Sequence, residues 1–311
     1  MTKKVYRVRN WPEYNKGLVS RGSLFIWFNK DLIRSAEGAH GNQAYSDTLI
    51  LCALTLKQLY KLPYRATEGL LRSLIELNHL SIPTPDYSTL CRRAKTLPVD
   101  LGIKSNGTPR HILIDSTGVQ VMGEGEWKRL KHGESRCQVW KKLHIALDAN
   151  TLDIVAMDVT DSVRLDCNYL PGLINQIEGP IEQITGDGAY DKQNCYESAY
   201  QRGAKPVFPP QHNAAIQRNK IKKEPALMPR DELIIRLNSA PDKKEELRIW
   251  KQENNYHRRS LVETNMSRLN SIFSDQMSAR TPENQFTDLA IRCRIINKMN
   301  KLGLPQSVVV F

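Results

Sequence analysis

Three carboxylates draw attention through the residues around them. Asp115 closes the apolar run 111–114 in "RHILIDSTG", Asp187 follows another apolar stretch in "IEQITGDGAYD", and Glu263 lies among three arginines in "YHRRSLVETNMSRLN". Two carboxylates at strand ends, with a third on a nearby helix, repel one another unless they share something positive. A hard divalent cation supplies that charge, because magnesium takes oxygen ligands from a few carboxylates and keeps positions open for phosphate and water. Two such ions about 3.5–4 Å apart activate the attacking oxygen and stabilise the leaving one in phosphoryl transfer. Plainer readings stand beside this one. "DG" is common in simple turns, and Arg259 with Glu263 four residues later is the spacing of an ordinary surface ion pair.

The elements around these acids can be read from periodicity. Tyr256, Arg259 and Glu263 share one face if the segment is helical, together with Ser260, Ser267 and Asn270, while Leu261, Val262, Met266 and Leu269 supply the packing side. "RHILIDSTGVQVMG" reads as a buried strand. "KLHIALD", the turn "ANT" and "DIVAMDVT" read as an antiparallel hairpin. A helix is expected over 166–177, a strand at "IEQITGDGAY", a helix over 192–202 and a short strand at "KPVFP". Gly186 and Gly188 on either side of Asp187 allow a close approach of backbone or ligand. The order β-β-β-α-β-α-β, followed by the long helix of Glu263, matches an α/β ribonuclease H-like core: a mixed sheet flanked by helices.

Ahead of that core, residues 45–98 carry three helical runs, "YSDTLILCALTLKQLY", "RATEGLLRSLIELNHL" and, after "SIPTP", "DYSTLCRRAKTL". Asp86 or Ser88 can cap the third, from which Arg92, Arg93 and Lys95 project. A helix-turn-helix presenting its last helix to a groove has this pattern, and so does a helical bundle with a charged outer surface. The 311 residues hold 45 Lys and Arg against 33 Asp and Glu, a net charge of +12. Such an excess favours a polyanionic partner without distinguishing DNA from RNA. The first thirty residues concentrate it, with Lys3, Lys4, Arg7, Arg9, Lys16, Arg21 and Lys30 against Glu13 alone, and interleave aromatic residues as an ordered phosphate-facing arm would. Six cysteines without a CxxC pair indicate neither a disulfide framework nor a zinc site and fit a reducing cytosol. The longest apolar stretch, "LILCALTL", is too short for a membrane span, so no membrane partner is expected.

Taken together, "LIDSTG", "GEGEW", "WKKLHIALD", "DGAYD", "YHRRSLVE" and "INKMNKLGLP", with the earlier "RNWPEYNKGLVSRGSLFIWF" and "PDYSTLCRRAKTL", resemble the DDE transposases of bacterial insertion sequences, specifically the insertion-sequence-five group. The resemblance covers nearly the whole chain. It implies a catalytic and metal-binding triad of Asp115, Asp187 and Glu263, served by Mg2+ (or Mn2+), two ions. It also implies DNA contacts from Tyr256 and Arg259, and at the position seven after the glutamate, where the family has lysine and this chain has Asn270. "PPQHNA" and "SRCQVW" are likewise less basic than the family's text, which leaves open a weakened copy that acts as an end-binding repressor. The implied activity is cleavage at element ends and strand transfer into target DNA. The implied partners are double-stranded DNA, as terminal inverted repeats and target, and a homodimer or larger synaptic assembly. The implied place is the bacterial cytoplasm, at the nucleoid.

The expected organisation is a helical DNA-binding region over 1–108, the first part of the catalytic core over 109–208, a basic insertion over 209–250, and a helical remainder of the core over 251–311. Arg92 and Arg93 are the DNA-contact candidates of the first region. Asp148 is expected in a turn, Asp191 and Asp166 as helix caps, His144 as a core histidine, and Trp127 and Trp250 in packing.

Overall fold

The computed structural model describes residues 5–28, 45–105, 107–122, 139–211, 213–216 and 229–310. Trp127, Cys137, "GEGEW", Lys3, Lys4, Lys30 and the basic stretch 217–228 lie outside the described residues. In chain order the elements are β1 (Val5–Val8), α1 (Trp11–Arg21), α2 (Leu24–Trp27), α3 (Asp47–Leu59), α4 (Tyr64–Leu77), α5 (Tyr87–Ala94), β2 (Arg110–Val121), β3 (Trp140–Asp148), β4 (Ile154–Asp161), α6 (Leu170–Asn175), β5 (Ile181–Thr185), α7 (Gln193–Gln201), β6 (Lys205–Val207), α8 (Pro229–Ser239), α9 (Lys243–Glu253), α10 (Ser260–Phe273), β7 (Gln276–Met277), α11 (Pro282–Leu302) and β8 (Ser307–Val310). Two compact units result: one from 1–103, 121–138 and 269–311, the other from 104–120 and 139–268.

In the first unit the three expected helices form. Ser46 accepts from the Leu49 amide at 3.2 Å to start α3, and Asp86 accepts from the Thr89 amide at 2.7 Å to start α5. These side chains satisfy amides that the first turn leaves without partners. On α4 the buried positions Thr67, Leu71, Leu74 and Ile75 recur at helical spacing. The turn from α3 to α4 is short, but residues 78–86 separate α4 from α5, which is longer than the turn of a helix-turn-helix. "SIPTP" is the reason, since each proline disfavours helix in the residue before it. The helix α11 is capped by Thr281 and buries polar as well as apolar side chains. Among them, Asp288 pairs with Lys57 at 3.1 Å and Arg292 donates to Gln58 at 3.1 Å. Among the described amino-terminal residues, β1 pairs antiparallel with β8, and Trp27 and Phe28 are buried.

The second unit is built on the sheet β4-β3-β2-β5-β6, in which β2, β3 and β4 are antiparallel neighbours and β5 and β6 run parallel to β2. With the two-residue β7 on the end of β2, the sheet has six strands. This is the ribonuclease H-like mixed sheet, flanked by helices. Ile112, Ile114, Ile184, Tyr190, Tyr196 and Phe208 belong to one buried core with Leu170, Leu173 and Ile174 of α6. Three details differ from the sequence reading. Residues 166–177 begin with a 3-10 turn and have α-helix only at Leu170–Asn175. Strand β5 stops at Thr185, and Gly188–Tyr190 form a 3-10 turn instead of extending it. The described part of the loose-looking insertion holds the helices α8 and α9, joined by Arg236 to Glu253 at 2.7 Å and by Arg236 to Glu246. Leu233 and Ile234 of α8 are buried, and the Arg236 ion pairs join the exposed sides of the two helices.

Candidate active site

The sheet register brings two of the acids together. Leu113 on β2 lies beside Thr185 on the parallel strand β5. Asp115 lies two residues further along β2, within that strand and not at its end as expected, and Asp187 lies two residues beyond Thr185, just past the end of β5, close enough for its charge to act on Asp115. Asp115 Oδ1 accepts from the Ser116 amide at 2.8 Å, and Asp187 accepts from the Ala189 amide at 2.8 Å as the cap of the 3-10 turn. Gly186 is required between them: a Cβ there would stand 2.7 Å from Tyr190 Cδ2 and 3.1 Å from Ile114 Cγ1. The close approach is therefore made by a core tyrosine.

Glu263 arrives on the first turn of α10, and Arg259 reaches it and Asp115 together. Arg259 Nη1 donates to Glu263 Oε1 at 2.6 Å and Nη2 donates to Asp115 Oδ2 at 2.9 Å. The segment is not one continuous helix. Tyr256–Arg259 is a 3-10 turn, preceded by Asn255 in the left-handed region at φ 52°, and the α-helix begins at Ser260. Arg258 is spent on the β3–β4 turn, donating to the Ala149 carbonyl at 2.6 Å and to Asn150 Oδ1 at 2.8 Å. It is therefore committed to the fold, whereas Arg259 turns to the acids.

Burial raises the Asp115 carboxyl above its ordinary 3.8, the Ser116 amide and Arg259 oppose that, and the neighbouring charges of Asp187 and Glu263 add to it. Tyr256, half-buried nearby, is also raised by burial, although Arg259 pulls it down. The donor set is all oxygen and over-supplied with negative charge, which fits a hard divalent cation. Among the described residues no three His, Cys, Asp or Glu side chains already converge closely enough to hold one. A guanidinium stands between two of the three acids.

Family comparison decides the class. Two models described as "Transposase DDE domain" match residues 19–124 and residues 106–298, the second spanning more than half of the chain. The chain belongs to the DDE transposase family. Such transposases act in DNA transposition, and the match extends over the segments that carry Asp115, Asp187 and Glu263. A cryo-EM structure titled piggyBac transposase synaptic complex with hairpin DNA is similar at 12% identity and a TM-score of 0.36, covering 96% of this chain and 76% of that one. Among the described residues no helix is long and apolar enough to cross a membrane.

The remaining candidates of this DDE transposase fall in different places. Asn270 is half-buried, and its Oδ1 is buried without a hydrogen-bond partner. Arg93 is occupied by the Tyr45 carbonyl at 2.9 Å and by Asp47, where it steadies the start of α3. Arg92, one residue away, is exposed and lines a groove of about 630 Å³ with Tyr64, Arg65, Tyr87 and Lys95. Arg65 stacks over the Tyr87 ring at 4.6 Å. Sequence reasoning missed Arg65 and Tyr87, which line the groove with Arg92, and their signal is that each stands in the first turn of a helix just after a proline-containing stretch.

The bystanders also divide. Asp148 serves its turn, accepting from the Asn150 amide at 2.8 Å, and also pairs with Arg110 at 3.6 Å. His144 is a fully buried core residue bonded to Thr160 at 2.8 Å. Trp250 lines a cavity of about 640 Å³ with Tyr200, Phe208 and Arg230. Asp166 and Asp191 are not caps. Asp166 pairs with Lys142 at 2.9 Å, while Asp191 is buried, binds Arg230 at 2.6 Å and accepts from Tyr196 at 3.1 Å. A long-range arginine outcompetes the local capping role in the second case.

Proposed function

We propose that this transposase cuts DNA at the ends of an insertion sequence and joins the freed ends to target DNA, with Asp115, Asp187 and Glu263 holding the divalent cations, Mg2+ or Mn2+, two in number. The observation that supports it most directly is the parallel pairing of Leu113 with Thr185, from which Asp115 follows two residues on within β2 and Asp187 two residues on just past β5, with Glu263 tied to Asp115 through one guanidinium. Bound cations supply positive charge at the scissile phosphate, where negative charge builds up in phosphoryl transfer. The chain's own groups do the rest. The Ser116 amide fixes the Asp115 carboxylate within β2 and the 3-10 turn fixes Asp187 just past β5, so both ligands are preorganised. Arg259 is a fork able to grip a phosphate through two parallel hydrogen bonds, and Tyr256 stands beside it. Water then cleaves the phosphodiester at the element end, and the 3′-hydroxyl so released attacks the target strand.

End recognition is assigned to the helical amino-terminal region, with the double-stranded terminal repeats gripped at the groove of Arg92, Arg65 and Lys95. Arg93 contributes by holding its helix in place, and Asn270 contributes at most a neutral contact. Two ends must be joined in concert, so the working form is a homodimer or a larger assembly, acting at the nucleoid of a bacterial cell. The test is substitution by amides that keep shape and remove charge. Asp115→Asn, Asp187→Asn and Glu263→Gln each abolish cleavage and joining in a gel assay and leave end binding largely intact. A variant that cleaves at the wild-type rate removes its residue from the triad.

A further inference from the structure

Arg259 holds the atom that a cation needs. Of the two Asp115 oxygens, Oδ1 is committed to the Ser116 amide, and Oδ2 is the one that Arg259 Nη2 occupies at 2.9 Å. The same guanidinium takes Glu263 Oε1 at 2.6 Å. Its third nitrogen, Nε, is buried with no hydrogen-bond partner, so this pose leaves a donor unmet. A phosphate gripped through Nε and Nη2 would satisfy that donor and at the same time release Asp115 Oδ2. The Arg259 side chain is 20% exposed, so it has a path to solvent. The turn that carries it is pinned by Arg258 to the Ala149 carbonyl, which confines the change to the side chain.

We propose that Arg259 is an internal counter-ion that DNA displaces. Without DNA it neutralises Asp115 and Glu263 and competes with divalent cations for them. When a backbone phosphate draws the guanidinium away, both carboxylates become ligands. Cation affinity and DNA affinity are therefore positively linked, and by thermodynamic reciprocity each raises the other by the same factor. The arrangement restrains Asp115 and Glu263 from taking a cation before DNA is in place. This inference rests on the reading that the three acids hold the cation, and it adds that Arg259 gates two of them.

The test measures Mn2+ binding to the full-length protein by the electron paramagnetic resonance signal of free Mn2+, with no DNA present. Arg258→Ala serves as the control, since it removes the same charge from the same turn without touching either acid. The expected result is that Arg259→Ala binds Mn2+ about fivefold more tightly than wild type, while Arg258→Ala stays within roughly twofold, the upper end of what losing a partly exposed ion-pair competitor supplies. Arg259→Gln, neutral and close in shape, gives the same tightening and carries the test if the alanine variant fails to fold. In wild type, Ca2+ tightens binding to end DNA, and in Arg259→Gln that tightening shrinks. If Asp115→Asn leaves Mn2+ binding unchanged, the metal reading of the triad falls. If Asp115→Asn weakens Mn2+ binding but neither Arg259 variant binds it more tightly than Arg258→Ala, the gating role alone is overturned.

Discussion

On β2, four residues before Asp115, the buried His111 is held neutral. Its Nε2 lies 2.9 Å from Thr185 Oγ1 and 3.1 Å from Gln183 Nε2, an amide donor that requires a neutral ring nitrogen as acceptor. Burial, helped by the charges of Arg258 and His257 and opposed by Asp148, lowers the His111 pKa from 6.5 to about 4. A folded-state pKa below the unfolded one means that the unfolded chain takes up the proton first. Stability is then fully present above pH 6.5 and is lost as pH falls toward 4. The difference 6.5 − 4 = 2.5 corresponds to as much as about 3 kcal/mol. Urea unfolding at pH 7 and pH 4 checks it: wild type loses up to about 3 kcal/mol more stability than His111→Gln over that range. Equal losses would remove His111 from the acid response. Among single residues, the acids were legible because each ends an apolar run or interrupts a basic one. The Arg259 bridge was only half legible: the four-residue spacing announces Glu263, but nothing local announces Asp115, 144 positions earlier.

Elements were legible where one face is uniformly apolar. The runs before Asp115 and Asp187 became β2 and β5 because their side chains fill the core that Tyr190 and Phe208 complete. The helices α8 and α9 were missed because their apolar faces are short: α8 buries Leu233 and Ile234, and α9 buries none of its residues. The 3-10 turn at Tyr256 was missed because it keeps nearly the residue spacing of an α-helix. The end of β5 carries its own prediction. Gly186→Ala forces its methyl against Tyr190, so it should destabilise the fold by roughly 1–3 kcal/mol, the usual cost of overpacking, and shift Asp187 away from Asp115. Gly188→Ala meets the Pro209 carbonyl at 3.4 Å, an ordinary contact, and should cost less. Denaturant unfolding together with cleavage rates decides: equal effects at the two glycines would mean that Tyr190 packing does not position Asp187.

At the scale of the whole chain, the net charge of +12 and the two DDE domain matches point the same way, to an enzyme working on a polyanion. The charge was legible from composition. Its deployment was not, because Arg93, Arg230 and Arg258 each turn inward to hold the fold while Arg92 faces the groove. Family membership leaves three outcomes for the chemistry: joining, cutting without joining, or binding alone. One measurement separates them. A duplex carrying a pre-cleaved element end with a free 3′-hydroxyl is incubated with the full-length protein, target DNA and Mg2+ or Mn2+, and covalent joining is read on a denaturing gel. The account predicts joined product that depends on the divalent cation and is absent from Glu263→Gln. Tight end binding without joined product under either cation, whether or not DNA is cut, would contradict it.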